Sequence, residues 1–187
     1  MNISELFTRA PSPEGRLPKE NRVYSFLEEH SIPVCGVDHD SADTMEICAL
    51  IEGKLGAEIC KNLFLCNAQA TAFYLLLMPG KKAFKTKFLS KQINSSRLSF
   101  ASAENMEKYL DITPGSVSVM GLMNDTEKKV KLLIDKDLLD IPDIGVHPCI
   151  NTTTLRFSTA DLTEKIIPAL GYEITVVDLP DPSVSEG

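Results

Sequence analysis

The chain of 187 residues lacks any apolar run approaching the roughly 18 to 20 residues of a membrane-spanning helix. Its longest apolar stretch, TAFYLLLMPG, is strand-sized. The opening stretch, MNISELFTRAPSPEGR, carries an early acid and has no apolar centre of the kind a secretory signal needs. A cytoplasmic protein with no membrane partner is therefore expected. There is no CxxC pair either. Cys35, Cys48, Cys60, Cys66 and Cys149 are odd in number and scattered, which argues against a zinc site or a disulfide framework. They are expected to be small buried residues, although Cys149, two positions after His147, leaves a Cys/His nucleophile pair conceivable. Glycine-rich phosphate loops, dinucleotide fingerprints, internal repeats and low-complexity segments are all absent. Nothing calls for a metal or an organic cofactor.

What is present is ordinary in bulk and uneven in detail. Hydrophobic residues make up 43% and charged residues 24%, as in a soluble globular domain. The net charge of −7 argues against indiscriminate nucleic-acid binding. Yet the stretch KKAFKTKFLSKQINSSR, residues 81–97, holds Lys81, Lys82, Lys85, Lys87, Lys91 and Arg97 and no acid. It is either a solvated helix face or a phosphate-facing patch on an otherwise acidic protein.

Residues 1–17 are rich in proline, glycine and charge and are expected as an extension. A helix is predicted over 18–32, with Pro18 in its first turn and Val23, Phe26 and Leu27 on one face. A short strand (33–40) leads to a second helix (43–56), with Asp43 as N-cap and Gly56 as stop. Strands at 59–67 and 71–78 form a hairpin. A basic helix near 86–93, the strand RLSFAS and a short helix capped by Ser102 follow. GSVSVMGLMND is expected to be a glycine turn entering a strand, KKVKLLIDKDL a strand, and DIGVHPCINTTTLRFS one strand with a proline bend. Ser158 caps a last helix, with Asp161 at the capping-box position and Gly171 as stop. YEITVVDL closes as a strand. The order is irregular and strands outnumber helices, so the class is α+β with a mixed sheet. One domain spanning 18–180 is expected, with a loose tail at 181–187.

Three places set polar groups into apolar elements. In EICKNLFLCN, Lys61 falls in the row of Ile59, Leu63 and Leu65, and lysine is rarely buried without a partner. It is either a rim residue whose stem snorkels to water or a cation awaiting a phosphate or ester group. GSVSVMGLMND could supply backbone N–H groups to an oxyanion pocket. GVHPCINTTT offers His147, Asn151, Thr152, Thr153 and Thr154, a histidine with hydroxyls and an amide nearby that could orient a ligand or a water.

In order, KNLFL, RLSFAS, PGSVSVMGLMND, HPCINTTT and VVDL resemble the YbaK/prolyl-tRNA-synthetase-associated editing family, in its freestanding deacylase branch. DHDSADTMEICAL also resembles that family's H-P-x-x-x-T-x-E-E-A segment, which places His39, Thr44 and Glu46 on it. The resemblance implies an α+β fold whose mixed, mostly antiparallel sheet is partly closed as a barrel and surrounded by helices. It implies hydrolysis of a wrong amino acid, typically alanine and in a neighbouring branch cysteine, from tRNA for proline, with prolyl-tRNA synthetase as a further partner. A module that binds tRNA or senses proline status without hydrolysis is the alternative. The family's lysine falls on Lys61 and its G-x-x-x-P loop on Gly115 to Val119, with valine in place of the proline. His147 and Pro148 match its histidine-proline motif. Lys61, Gly115 and His147 are the expected catalytic groups. Thr44, Asn62, Ser116, Val117, Ser118, Val119, Asn151 and Thr152 are expected to bind substrate, and Lys81, Lys82 and Lys85 to meet the tRNA backbone.

Overall fold

A computed structural model describes residues 2–42 and 44–184. Among these residues nine strands form two mixed sheets. The smaller has the order β1 (Gly36–Asp38), β8 (Thr153–Ser158), β7 (Asp143–Val146), β2 (Glu58–Ile59). The larger runs β5 (Ser99–Phe100), β3 (Lys61–Cys66), β4 (Phe73–Met78), β6 (Val130–Asp135), β9 (Thr175–Val177). Four of the pairings are antiparallel and three parallel.

Neither sheet closes as a barrel, which corrects that expectation. The reason lies in one strand. EICKNLFLCN is not continuous but changes sheets at Cys60, whose N–H bonds Gly145 O at 3.1 Å in the smaller sheet. The chain then enters the larger sheet at Lys61. Strand β5 pairs only with Leu65 and Cys66, so the edge of β3 from Lys61 to Leu63 stays uncovered. The gap that would have to close for a barrel is left open.

Alternation along β3 sorts its side chains between two cores. Phe64 and Cys66 join the large core between the sheets, with α1 (Pro18–Glu29) and the 119–122 segment. Leu65 and partly buried Leu63 join a second cluster beneath α3 (Thr86–Gln92). Strand β4, buried at all six positions, separates the two. Helix α3 has seven residues and no side-chain N-cap bond, too little to stand alone. It is held by Leu89, fully buried, which contributes about 1.5–3 kcal/mol. Lys85, Lys87 and Lys91 then point to solvent.

Helix α2 (Met45–Leu55) is capped by Thr44, whose hydroxyl accepts from Ile47 N–H at 3.3 Å. Asp43, expected in that role, lies outside the described residues. Helix α4 (Ala103–Leu110) is capped by Ser102 as expected. The last helix starts with α5 (Thr159–Asp161), capped by Ser158, widens to a π-turn at Leu162–Ile166, and resumes as α6 (Ile167–Ala169). Pro168 has no N–H to offer the ladder, which accounts for the widening.

Two segments depart from expectation. GSVSVMGLMND forms no strand; Val119–Asn124 is a 3-10 helix capped by Ser118, which accepts from Met120 N–H. Its apolar residues read as a strand because Val119 to Leu122 are buried on successive positions. DIGVHPCINTTTLRFS is two antiparallel strands, β7 and β8, not one bent strand. The 147–152 loop reverses the chain, with Cys149 at φ 66°. The N-terminal residues lie along β1: Ile3 bridges His39 and Phe7 bridges Gly36. Arg16 pairs with both Glu20 and Asp38.

Candidate active site

The open edge of β3 borders a cleft of about 280 Å³. Asn62 and Leu63 line it from β3, Met106 from α4, Gly115 and Val117 from the loop after α4, and His147 from the end of β7. Phe100, 59% exposed, stands where β5 ends. Gly115 sits at φ +88°, where an L side chain would be strained.

The His147 ring is fixed by its surroundings. Its Nδ1 lies 2.9 Å from Thr153 O, which can only accept, so the proton is on Nδ1 and the lone pair is on Nε2. Burial lowers its pKa, and His39 adds repulsion, so the ring is neutral at pH 7. His39 is fixed in the same way. Its Nδ1–H donates to Asp40 O and its Nε2 accepts from the Thr154 hydroxyl, both at 2.8 Å. Thr154 Oγ1 is also 3.4 Å from His147 Nδ1, so the two rings share one threonine. Burial lowers the His39 pKa as well.

Behind them stands a charged clamp. Arg16 holds Asp38 through both nitrogens, at 3.0 and 2.6 Å. Asp38 also accepts the Thr153 hydroxyl at 2.7 Å. Burial works to raise the Asp38 carboxyl, but the Arg16 and Thr153 hydrogen bonds outweigh it and hold the group below its ordinary range.

Lys61 and Asn62 part company. Asn62 faces the cleft and accepts Val119 N–H on Oδ1 at 2.9 Å. Lys61 turns to the other face, half-buried, and donates to Lys82 O at 2.6 Å. That carbonyl belongs to a turn set tightly against the chain: a Cβ at Gly80 would lie 2.1 Å from Ile59 O. The Lys82 side chain is 6% exposed and ion-paired to Asp135 and Asp137, each at 2.7 Å. Burial acts to lower its pKa, but the two carboxylates more than compensate and raise it. Lys82 therefore faces inward and is not available to a backbone phosphate, unlike the exposed Lys81 and Lys85.

Of the remaining expected residues, Ser116, Asn151 and Thr152 line a neighbouring cavity of about 340 Å³ with Arg16 and Lys19, across the Gly115 loop. Asn151 Nδ2 donates to Ser41 Oγ at 2.7 Å. Ser118 is buried as the cap of the 3-10 helix, and Thr44 caps α2 and does not line the cleft. The Cys149 thiol is buried and pushed up to about 12 by burial, which makes it a poor nucleophile beside His147. Among the described residues no three His, Cys, Asp or Glu side chains gather as metal ligands would. No helix among them is long and apolar enough to cross a membrane.

Sequence reasoning missed Phe100, Met106 and the Arg16–Asp38 clamp, whereas Thr154, one of the hydroxyls it grouped with His147, does meet that ring. Period-two alternation would have buried Leu98 and Phe100 together, yet Leu98 is 2% exposed and Phe100 is at the rim. Arg16 and Asp38 are 22 residues apart, and no local pattern joins them.

A fold of two joined mixed sheets, with a histidine-bearing loop, a glycine loop and an asparagine meeting at an open strand edge, is that of a known class. Residues 39–165 match the aminoacyl-tRNA editing domain, and the chain belongs to that family. The chain is 35% identical over 157 residues to the Prolyl-tRNA editing protein ProX of Acetoanaerobium sticklandii, covering 84% of this chain and 95% of that one. It is 26% identical to the Prolyl-tRNA synthetase associated domain-containing protein 1 of Danio rerio, over 73% of this chain and 75% of that protein. A crystal structure described as a candidate trans-editing enzyme for prolyl tRNA synthetase shares the fold. Its TM-score is 0.66 at 18% identity, over 89% of this chain and all of that one.

Proposed function

We propose that the chain is a trans-editing deacylase that hydrolyses alanine from mischarged tRNA for proline. The observation that carries this is the cleft: in a member of the aminoacyl-tRNA editing family, 35% identical to a prolyl-tRNA editing protein, a neutral histidine and a small apolar recess share one opening. An aminoacyl ester is already activated, so no covalent nucleophile is required. The work is to hold the acceptor end, orient a water and stabilise the oxyanion.

In this scheme water adds to the ester carbonyl carbon as His147 Nε2 takes one of its protons. The bond from that carbon to the ribose oxygen breaks, and the proton passes to the departing oxygen. Free alanine and uncharged tRNA leave. Lys61 would exchange Lys82 O for a phosphate or ribose oxygen of the terminal nucleotide. Lys81, Lys85 and their basic neighbours on α3 would meet the preceding phosphates, and prolyl-tRNA synthetase would be the enzyme whose errors are corrected. Such a protein would work in the cytoplasm.

Ile59, Leu63, Met106 and Val117 leave an apolar recess that suits a methyl group. A pyrrolidine ring would overpack it at a cost of about 1–3 kcal/mol. Cysteine is one sulfur larger than alanine and would be rejected less. Single-turnover hydrolysis of tRNA for proline charged with alanine, cysteine or proline tests this. The expected order is alanine, then cysteine, with proline spared. Equal hydrolysis of the alanyl and prolyl esters would overturn it, and binding without hydrolysis of any would leave a tRNA-binding module.

A further inference from the structure

The Asn62 amide is locked in one orientation. A backbone N–H can only donate, so the atom facing Val119 N must be Oδ1, at 2.9 Å. Flipping the amide would set two donors against each other. With Oδ1 consumed, what Asn62 has left for the cleft is its NH₂ group. That group is poorly satisfied: it reaches Cys60 O at 3.3 Å and Cys60 Sγ at 3.2 Å. A thiol sulfur is a weak acceptor, and Cys60 stays a thiol because burial pushes its pKa up to about 12.

Val119 is in turn well placed to hold the amide. It is fully buried and is the first residue of the 3-10 helix capped by Ser118. The first N–H groups of a helix have no partner within it, so this one is free to point at β3. A proline would fit the helix start but would remove this donor.

We propose that Asn62 Nδ2–H is the side-chain donor that meets the ester carbonyl oxygen as it becomes an oxyanion, and that Val119 N–H is the positioning group that keeps this donor turned to the cleft. This rests on the editing function proposed above and adds to it a specific role for two neighbouring chain segments. On this reading a proline at 119, the residue of the G-x-x-x-P pattern, would slow hydrolysis here. Losing one such donor lowers the chemical rate by roughly 10²–10³-fold in other hydrolases.

The test compares Val119→Pro with Val119→Ala, which trims the side chain but keeps the N–H, and Asn62→Asp with Asn62→Ala. Single-turnover hydrolysis of alanyl-tRNA for proline is measured alongside tRNA affinity and melting temperature. Val119→Pro should hydrolyse at least about tenfold more slowly than Val119→Ala, with affinity little changed. Asn62→Asp should be as slow as Asn62→Ala, because a carboxylate supplies no donor at neutral pH. A folded Val119→Pro as fast as Val119→Ala would overturn the positioning role, and an Asn62→Ala that loses only affinity would overturn the donor role. A readout independent of turnover is the Asn62 side-chain amide resonance in the wild-type protein. It should shift on adding a phosphonate analogue of alanyl-adenosine, and in Val119→Pro it should lose its single fixed environment. If the wild type hydrolyses no aminoacyl-tRNA, the editing function itself fails, and an unmoved amide in analogue-bound protein refutes the donor separately.

Discussion

The two faces of β3 diverge at adjacent residues. On one, Asn62 meets a glycine loop and a neutral histidine at an open cleft. On the other, Lys61 is tied to the carbonyl of Lys82, whose own ammonium is buried between two carboxylates. The first face turns an amide held by Val119 N–H and a ring held by Thr153 O toward an open cleft. The second satisfies its charges internally and relies on packing for support. Donors held by weak acceptors and histidines with depressed pKa values suit chemistry on an ester, while a buried, paired lysine suits the holding of a turn. Lys61 is the link, because it stands on the internally paired face and is next in sequence to Asn62 on the cleft face.

The largest expected effect tests that link. Lys61→Ala should slow hydrolysis by at least about 100-fold. It should cost only about 1 kcal/mol of stability, since what it leaves behind is a single carbonyl. Single-turnover rates and melting temperature measured together decide: an early-melting variant with the wild-type rate would make Lys61 purely structural.

Next comes Lys82. Lys82→Met leaves Asp135, fully buried, without its cation. The expected loss is about 3 kcal/mol, and Asp135→Asn in the same chain should restore part of it. Urea denaturation of the two variants reads this. A loss well under 1 kcal/mol would show the pair to be an ordinary surface bridge and would blur the contrast between the faces.

A smaller effect concerns tRNA. Lys85→Glu with Lys87→Glu should weaken tRNA binding and flatten its dependence on salt by roughly 0.7–0.9 for each phosphate no longer neutralised, leaving melting nearly unchanged. An unaltered salt slope would make α3 a solvated face and nothing more.

The smallest is the pH dependence of stability on the cleft side. Burial places the folded-state pKa values of His39 and His147 below 6.5. The unfolded chain therefore binds protons first, and the contribution of each ring is complete above pH 6.5 and is lost as pH falls through its folded pKa. Melting temperature should drop between pH 7.5 and 5, and the drop should shrink in a His39→Asn, His147→Asn double variant. An equal drop in both proteins would assign it to carboxylates elsewhere.

By itself the sequence determined the local elements and the chemistry on offer. Capping residues and proline placement specified α1, α4 and the start of the last helix, because those preferences act within a turn or two. Alternation specified the β3–β4 hairpin, and the ordered motifs pointed to the editing family together with Lys61, Gly115 and His147. Tertiary structure decided what depends on distant partners. It split EICKNLFLCN between two sheets at Cys60, since only the Gly145 carbonyl, 85 residues on, draws that N–H away. It turned the apolar 119–124 segment from an expected strand into a buried 3-10 helix. It took Lys82 out of the basic stretch by setting Asp135 and Asp137 against it, which no local charge pattern announces. And it gave Asn62 its orientation through a backbone N–H 57 residues away, a bond that depends on position 119 not being proline and on a loop brought alongside β3 by packing alone.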